Sequence, residues 1–190
     1  MLKPALPANE PERLEELRSY EILDTPDESD YGDITLLAAQ ICQTPMALIS
    51  LVDADRQWFK ARFGVETRQT PRDISFCAHA ILERDLMIVP DASEDHRFRD
   101  NPLVTTEPKL RFYAGAPLVT PRGLALGTLC VVDHVKRELT PNQKVSLAAL
   151  ARHVTSLLHH RRHTFELEAA VAERDNRIAE LLNGQRARTR

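Results

Sequence analysis

Apolar residues recur along this chain at two spacings, which together predict a mixture of helices and strands. Helical spacing of apolar side chains predicts a helix over about residues 30–43. The continuous apolar run 46–52 predicts a buried central strand. Alternating residues over 57–63 predict a second strand, with Phe59 and Ala61 on the same face.

Two further apolar segments, 111–119 and 124–133, predict a β-hairpin because Pro121 and Gly123 supply turn chemistry between them. Small residues interrupt both predicted strands: Ala114, Gly115, Ala116 and Gly127. Small residues in a strand give up packing area and allow another group to approach closely. Either a packed helix or a small ligand satisfies this pattern.

Shorter elements fill the remaining chain. Asn9 and Glu12 form a capping-box pattern for an N-terminal helix. A short helix is predicted over 75–83 and a short strand over 86–89, whereas residues 90–110 lack a regular period. Hairpins dominate this order of elements, which predicts an α+β fold with an antiparallel sheet and helices packed on it.

A long helix is predicted from Thr140, its N-cap, with Pro141 in the first turn, to about residue 184. Its proximal apolar stripe consists of Leu147, Leu150, Val154 and Leu157. A second stripe follows after a shift of register. Because one small domain cannot cover so long a helix, we expect a parallel coiled-coil homodimer, and the alternative is a single solvated helix with a frayed end. The tail 185–190 is predicted to be disordered.

Composition narrows the class of protein. The 190 residues carry a net charge of −3, which gives no basic field for nucleic acid. The three cysteines lie far apart, which excludes a disulfide framework and favours a reduced, cytoplasmic protein. No apolar run has transmembrane length, so no membrane partner is expected.

Few motifs point to catalysis or to a metal. Cys77 and His79 are two residues apart, so on a helix they do not face each other as a catalytic dyad. His159 and His163 have a metal-compatible spacing, but they lie among arginines, and no metal site is predicted. The chain has no phosphate-binding loop, dinucleotide fingerprint or zinc-protease motif. These absences predict a binding domain that is not an enzyme.

Several sequence blocks, in order and at plausible spacing, resemble the GAF domains at the N-termini of bacterial sensor histidine kinases and diguanylate cyclases. The blocks are Ala47–Asp53, Arg56–Ala61, Ser75–Ile81, Val89–Ala92, Arg97–Phe98, Asn101–Val104, Arg111–Leu118 and Gly127–Val131. The resemblance implies a six-stranded antiparallel sheet between helices, with a small-molecule pocket on one face. It also implies a homodimer whose C-terminal helix leads to an output kinase or cyclase domain.

This resemblance sets the expected domain boundaries: an N-terminal helical segment over 1–28, the GAF domain over 29–160 and a signalling helix over 161–184. The expected pocket residues are Trp58, Phe76, Cys77, His79, Asp91, Phe98, Asn101, Arg111, Tyr113 and Cys130. GAF domains that attach a bilin place a cysteine directly before a histidine. Here Ala78 lies between the two, so no covalent bilin is expected and the cofactor stays unknown.

Three hypotheses follow. The leading one is a non-catalytic sensory domain in signal transduction that binds an unidentified small molecule and dimerises through its C-terminal helix. The second is a thiol-dependent enzyme that reduces free methionine sulfoxide with Cys77 and Cys130. The third is a structural dimerisation module with an empty pocket.

Overall fold

The computed structural model describes residues 1–188, and of residues 179–188 only the helical backbone. Six strands form one antiparallel sheet in the order β3-β2-β1-β6-β5-β4: β1 Met46–Val52, β2 Arg56–Phe63, β3 Gln69–Pro71, β4 Met87–Val89, β5 Phe112–Val119 and β6 Ala125–Asp133. The helices are α1 Glu10–Ser19, α2 Ser29–Cys42, α3 Phe76–Ala80, α4 Pro102–Thr105 and α5 Pro141–Arg188, and a 3-10 turn spans Arg72–Ile74. The predicted α+β fold is confirmed.

The sheet separates two hydrophobic cores. On one face α1, α2 and α5 pack against residues such as Ala47 and Ile49 of β1. On the other face α3 and the segment 90–110 pack against Met46 and Leu48 of the same strand. Alternation along a strand explains this division, because successive side chains point to opposite faces. We call these the helix-side core and the α3-side core.

A β-bulge changes the faces of β2. The β1–β2 register shifts by one residue, which leaves Lys60 without a directly opposite partner. Trp58 and Ala61 therefore lie in the helix-side core, whereas Phe59 lies in the α3-side core. The prediction that Phe59 and Ala61 share a face is wrong, because the extra residue reverses the alternation.

The small residues of the hairpin have different neighbours. Ala114 and Ala116 belong to the helix-side core, in which α5 packs against β5. Gly127 faces the backbone of β1, where a Cβ atom would lie 2.8 Å from the Leu51 Cα. A helix thus explains the two alanines, and a neighbouring strand explains Gly127.

The N-caps predicted for helices α1 and α5 have different outcomes in the structure. The Asn9 side chain makes no capping hydrogen bond to α1. One reason is that Pro11, in the first turn, has no N–H to donate. At the start of α5 the Gln143 N–H donates to Thr140 Oγ1 at 3.3 Å, and the Thr140 N–H donates to Gln143 Oε1 at 2.9 Å. This reciprocal pair is a capping box.

Helix α5 is 48 residues long and leaves the domain near its middle. Every residue from His163 to Ile178 is exposed. Of the tail predicted to be disordered, residues 185–188 continue the backbone of α5, and residues 189–190 lie outside the described chain. Across residues 1–188 no helix combines the length and apolar composition that crossing a bilayer requires.

Candidate ligand-binding site

A cavity of about 360 Å³ lies in the α3-side core. Its apolar wall includes Met46, Leu48, Phe59, Val65, Phe76, Leu103, Leu110 and Val132. Exposed residues, among them Glu66, Thr67 and His134, form its mouth. The lining contains no lysine or arginine. A concave, mainly apolar cavity with a few polar groups is the usual form of a small-molecule site.

Gln57 organises the polar corner of the cavity. Its Oε1 accepts hydrogen bonds from the hydroxyls of Ser50 and Ser75, and its Nε2 donates to Thr70 Oγ1 at 2.6 Å. Ser75 also caps α3 by accepting the Ala78 N–H at 3.0 Å. The buried amide therefore fixes the start of α3 against the sheet, since each of its polar atoms has a partner.

Tyr113 reaches along its own strand into the cavity wall. Its ring lies over Gly115, where a Cβ atom would come within 2.6 Å of the Tyr113 Cζ. Its hydroxyl donates to Cys77 Sγ at 3.5 Å and lies 3.4 Å from Thr128 Oγ1. The absence of a side chain at Gly115 therefore makes room for the Tyr113 ring of the same strand.

Two thiols meet in the wall beside Tyr113. The sulfur atoms of Cys77 on α3 and Cys130 on β6 are 3.8 Å apart. Burial alone would raise the pKa of the Cys77 thiol, but hydrogen bonding from Cys130 and from the nearby hydroxyls, Tyr113 included, lowers this pKa to about 6. The neighbouring Cys77 and burial raise the pKa of Cys130 well above its usual value.

Four of the ten predicted pocket residues line this cavity: Phe76, Cys77, Tyr113 and Cys130. Phe98 lies behind the wall and stacks on Phe76 with ring centroids 4.0 Å apart. His79 packs edge-on against Phe98, and its Nε2 hydrogen-bonds the Leu2 carbonyl at 3.2 Å. Trp58 lies in the helix-side core because of the bulge in β2.

The other three predicted residues organise the segment 90–110. Asn101 caps α4 and donates to the Ile74 carbonyl at 3.0 Å. The Arg111 guanidinium donates to backbone carbonyls, including that of Val104 at 3.1 Å. Asp91 accepts hydrogen bonds from the backbone and hydroxyl of Ser93, as in an ordinary turn. These polar groups satisfy the chain itself and do not reach the cavity.

The sequence did not predict three residues of the cavity, namely Gln57 in its wall and Glu66 and His134 at its mouth. A lone amide in a strand that is otherwise apolar or charged was the available signal for Gln57, since a buried polar group needs several partners. Glu66 and His134 follow the ends of β2 and β6, where a loop residue gives no periodic signal. His134 Nδ1 hydrogen-bonds the Pro108 carbonyl across the mouth at 2.6 Å.

Comparison with protein families decides the class of this fold. A sequence model of the GAF domain matches residues 31–158. The chain belongs to the GAF domain family. The family predicted from the sequence blocks is therefore confirmed, and GAF domains of signalling proteins share its architecture.

Solved structures resemble this GAF domain at low sequence identity. The GAF domain of a phosphoenolpyruvate-protein phosphotransferase from Coxiella burnetii aligns with a TM-score of 0.61 at 15% identity, over 81% of this chain and 96% of that chain. A domain assigned to a two-component sensor histidine kinase of Sinorhizobium meliloti aligns with a TM-score of 0.58 at 14% identity, over 74% and 97%. At such identities the likeness concerns the fold alone.

One curated relative is much closer in sequence. A cyclic di-GMP phosphodiesterase of Pseudomonas aeruginosa is 44% identical over 165 residues, which cover 86% of this chain and 28% of the relative. The chain thus spans under a third of that relative's length. Because the relative bears the name of an enzyme, the prediction that this protein is not an enzyme is contradicted. A signalling role is supported by both the family and the relative.

Proposed function

We propose that this chain is the regulatory GAF domain of a signalling protein that acts on cyclic di-GMP. We further propose that its cavity binds a small, uncharged and largely apolar molecule. The identity to the phosphodiesterase supports the first part. The observation that carries the second part is the lining of the cavity, which is mainly apolar and has no lysine or arginine.

The charge of the lining argues against an anionic ligand. A cyclic nucleotide carries phosphate charge, which proteins usually meet with arginine, lysine or a row of backbone N–H groups. This cavity offers none of those side chains, and Glu66 adds a carboxylate at its mouth. Cyclic di-GMP is therefore a poor fit as the ligand of this cavity.

An ion cluster links the cavity strand β2 to α5. Lys60, which follows the cavity residue Phe59 in β2, is almost completely buried and pairs with Glu28. Glu28 Oε1 also accepts a hydrogen bond from Arg161 at 3.0 Å. Arg161 lies where α5 leaves the domain. A movement of β2 on ligand binding would thus be transmitted to Arg161, at the point where α5 leaves the domain.

A second cluster links the hairpin turn to the same point. The buried Glu16 of α1 pairs with Arg122 of the β5–β6 turn at 2.8 Å. Its other oxygen lies 3.5 Å from Arg162 of α5. Helix α1 therefore bridges the hairpin and α5, next to Arg161. Two alternative packings of α5 would provide a switch.

The exposed part of α5 supports dimerisation. Leu167, Val171 and Ile178 are about half exposed and recur at heptad spacing. Such an exposed apolar stripe is buried when two helices pair. We therefore propose a parallel homodimer through α5, in which ligand binding alters how the two helices pack.

We expect the protein to bind the uncharged fluorescent probe N-phenyl-1-naphthylamine in the cavity, with a fluorescence increase that saturates. Leu48→Trp fills the cavity, because Leu48 lines its wall, and should weaken binding by at least about tenfold. Val65→Trp, at a half-buried position near the mouth, should have the same effect and disturbs the core less. Fluorescence titration measures both.

The matched control is Leu37→Trp on the exposed surface of α2, which should bind the probe as the parent protein does. A sulfonated naphthalene probe should bind more weakly than the uncharged one, because no lysine or arginine lines the cavity. Equal probe affinity in all three tryptophan variants would place binding elsewhere and reject the proposal.

Charges in the α5 stripe are expected to separate the dimer. Val171→Asp with Ile178→Asp should raise the dimer dissociation constant at least about a hundredfold, because two unpaired carboxylates would enter an apolar seam. Analytical ultracentrifugation checks this. Ala169→Asp with Asn176→Asp adds the same charge on the opposite side of the helix and should leave the dimer intact. A parent protein that sediments as a monomer at high micromolar concentration would contradict the proposed dimer.

A further inference from the structure

We propose that Cys77 and Cys130 form a redox-active dithiol, which a small organic hydroperoxide entering the cavity oxidises to a disulfide. This inference shares the cavity of the proposed function but does not depend on ligand binding, and its test measures thiols alone. The two cysteines are the only thiols that face each other in the part of the chain that the structure describes.

The geometry of the pair suits a disulfide. The two sulfur atoms are 3.8 Å apart, and a disulfide bond is about 2.05 Å long, so they must approach by roughly 1.8 Å. The cysteines belong to different elements, α3 and β6, and are 53 positions apart in the chain. The bond would therefore tie α3 to a central strand of the sheet.

The cavity gives an oxidant access to thiols that are otherwise closed off. Cys77 is 3% exposed and Cys130 is fully buried, yet both line the cavity whose mouth is formed by exposed residues. The apolar wall favours an uncharged oxidant with a hydrocarbon group. It disfavours charged oxidised thiols such as glutathione disulfide, which also exceeds the space of about 360 Å³.

The surroundings assign different roles to the two thiols. Tyr113 donates a hydrogen bond to Cys77 Sγ at 3.5 Å, which stabilises a thiolate there. The lowered pKa of Cys77 agrees with this role, and the raised pKa of Cys130 keeps that group a thiol. Because the thiolate is the nucleophile, Cys77 is the residue that attacks the peroxide and Cys130 the one that resolves it.

The reaction balances in two steps. The Cys77 thiolate attacks the terminal peroxide oxygen, so an S–O bond forms, the O–O bond breaks and the alkoxide leaves as an alcohol with the proton that Cys77 released. Cys130 then attacks the Cys77 sulfur, an S–S bond forms, the S–O bond breaks and the hydroxide leaves as water with the Cys130 proton. Two electrons pass from the dithiol to the hydroperoxide, which is reduced to alcohol and water.

The test treats the reduced protein with cumene hydroperoxide, quenches with an alkylating agent under denaturing conditions and measures intact mass and peptides. The expected product has lost two hydrogen atoms, keeps one alkylated cysteine, Cys42, and yields a peptide pair joined through Cys77 and Cys130. Dithiothreitol should restore three alkylated cysteines. Cys77 should react at least about tenfold faster than Cys42, whose pKa burial raises to about 11.

Variants separate the two roles. Cys130→Ser should stop at a sulfenic acid on Cys77 that dimedone traps, whereas Cys77→Ser should leave Cys130 alkylatable after the same treatment. Cys42→Ser should oxidise as the parent protein does. Cys130→Ala serves if the serine variant loses its thermal transition. Three alkylatable cysteines after treatment of the parent protein, or a peptide pair that includes Cys42, would overturn the proposal. Neither result would affect probe binding, so the two proposals fail separately.

Discussion

Replacing Glu10 with glutamine is expected to destabilise the protein by about 3 kcal/mol at neutral pH. Glu10 begins α1 and lies between Arg13 and Arg72, whose side chains are almost completely buried. Its Oε2 accepts a hydrogen bond from Arg13 Nε at 2.7 Å, and its Oε1 accepts from Arg13 and from Arg72. Without the carboxylate, two buried guanidinium groups would face each other with no neutralising charge.

The same ion cluster predicts a dependence of stability on pH. Burial would raise the pKa of Glu10, but the hydrogen bonds from Arg13 and Arg72 outweigh it and lower this pKa from 4.5 to about 2. That difference corresponds to roughly 3 kcal/mol in favour of the folded state. Because the folded pKa is depressed, this stability is present above pH 4.5 and disappears as the pH falls towards 2.

Urea unfolding at several pH values between 7 and 2 measures both effects. The Glu10→Gln protein should be less stable at pH 7 and should lose less stability than the parent on acidification. Glu12→Gln, at an exposed position in the same first turn, is the control and should change stability by less than about 0.5 kcal/mol. Equal unfolding midpoints for the two variants at pH 7 would refute the role assigned to Glu10.

Apolar periodicity carried most of the information about this fold. The run 46–52 and the hairpin were predicted close to their observed bounds, because a buried strand must be apolar and a turn must have turn residues. The sequence did not predict the bulge at Lys60, because the residues of β2 also fit a regular alternation of side chains between the two faces of the sheet. Lys60 is buried because it pairs with Glu28, a contact between distant positions that no local pattern reveals.

The candidate site was predictable only in part for a related reason. Arg111 and Asn101 have the chemistry of ligand-binding groups, but Arg111 donates to the Val104 carbonyl and Asn101 donates to the Ile74 carbonyl. Backbone carbonyls outside regular strands must also find hydrogen-bond donors, and these two polar side chains provide them. Only the resemblance to a known fold predicted that Cys77 and Cys130 both lie near one pocket. Nothing in their spacing alone required it.

Gly127→Ala is the second large effect that we expect, with a loss of about 3 kcal/mol in the free energy of unfolding. A Cβ atom at Gly127 would lie 2.8 Å from the Leu51 Cα and would also overlap the Ser50 carbonyl of β1. These are backbone atoms of a central strand, so no side-chain rotation relieves the overlap. Either β1 and β6 separate locally or the sheet adjusts its register, and both weaken the pairing that holds the cavity wall.

The control applies the same chemical change where space exists. Gly32 lies inside α2, where a Cβ atom would meet no heavy atom within 4 Å. Alanine favours a helix interior over glycine by about 1 kcal/mol, so Gly32→Ala should stabilise the protein. Chemical unfolding of both variants therefore tests the packing directly, since one added methyl group should change stability in opposite directions. A stabilising Gly127→Ala would contradict this argument. It would mean that the backbone of β1 does not lie close enough to Gly127 to exclude a methyl group.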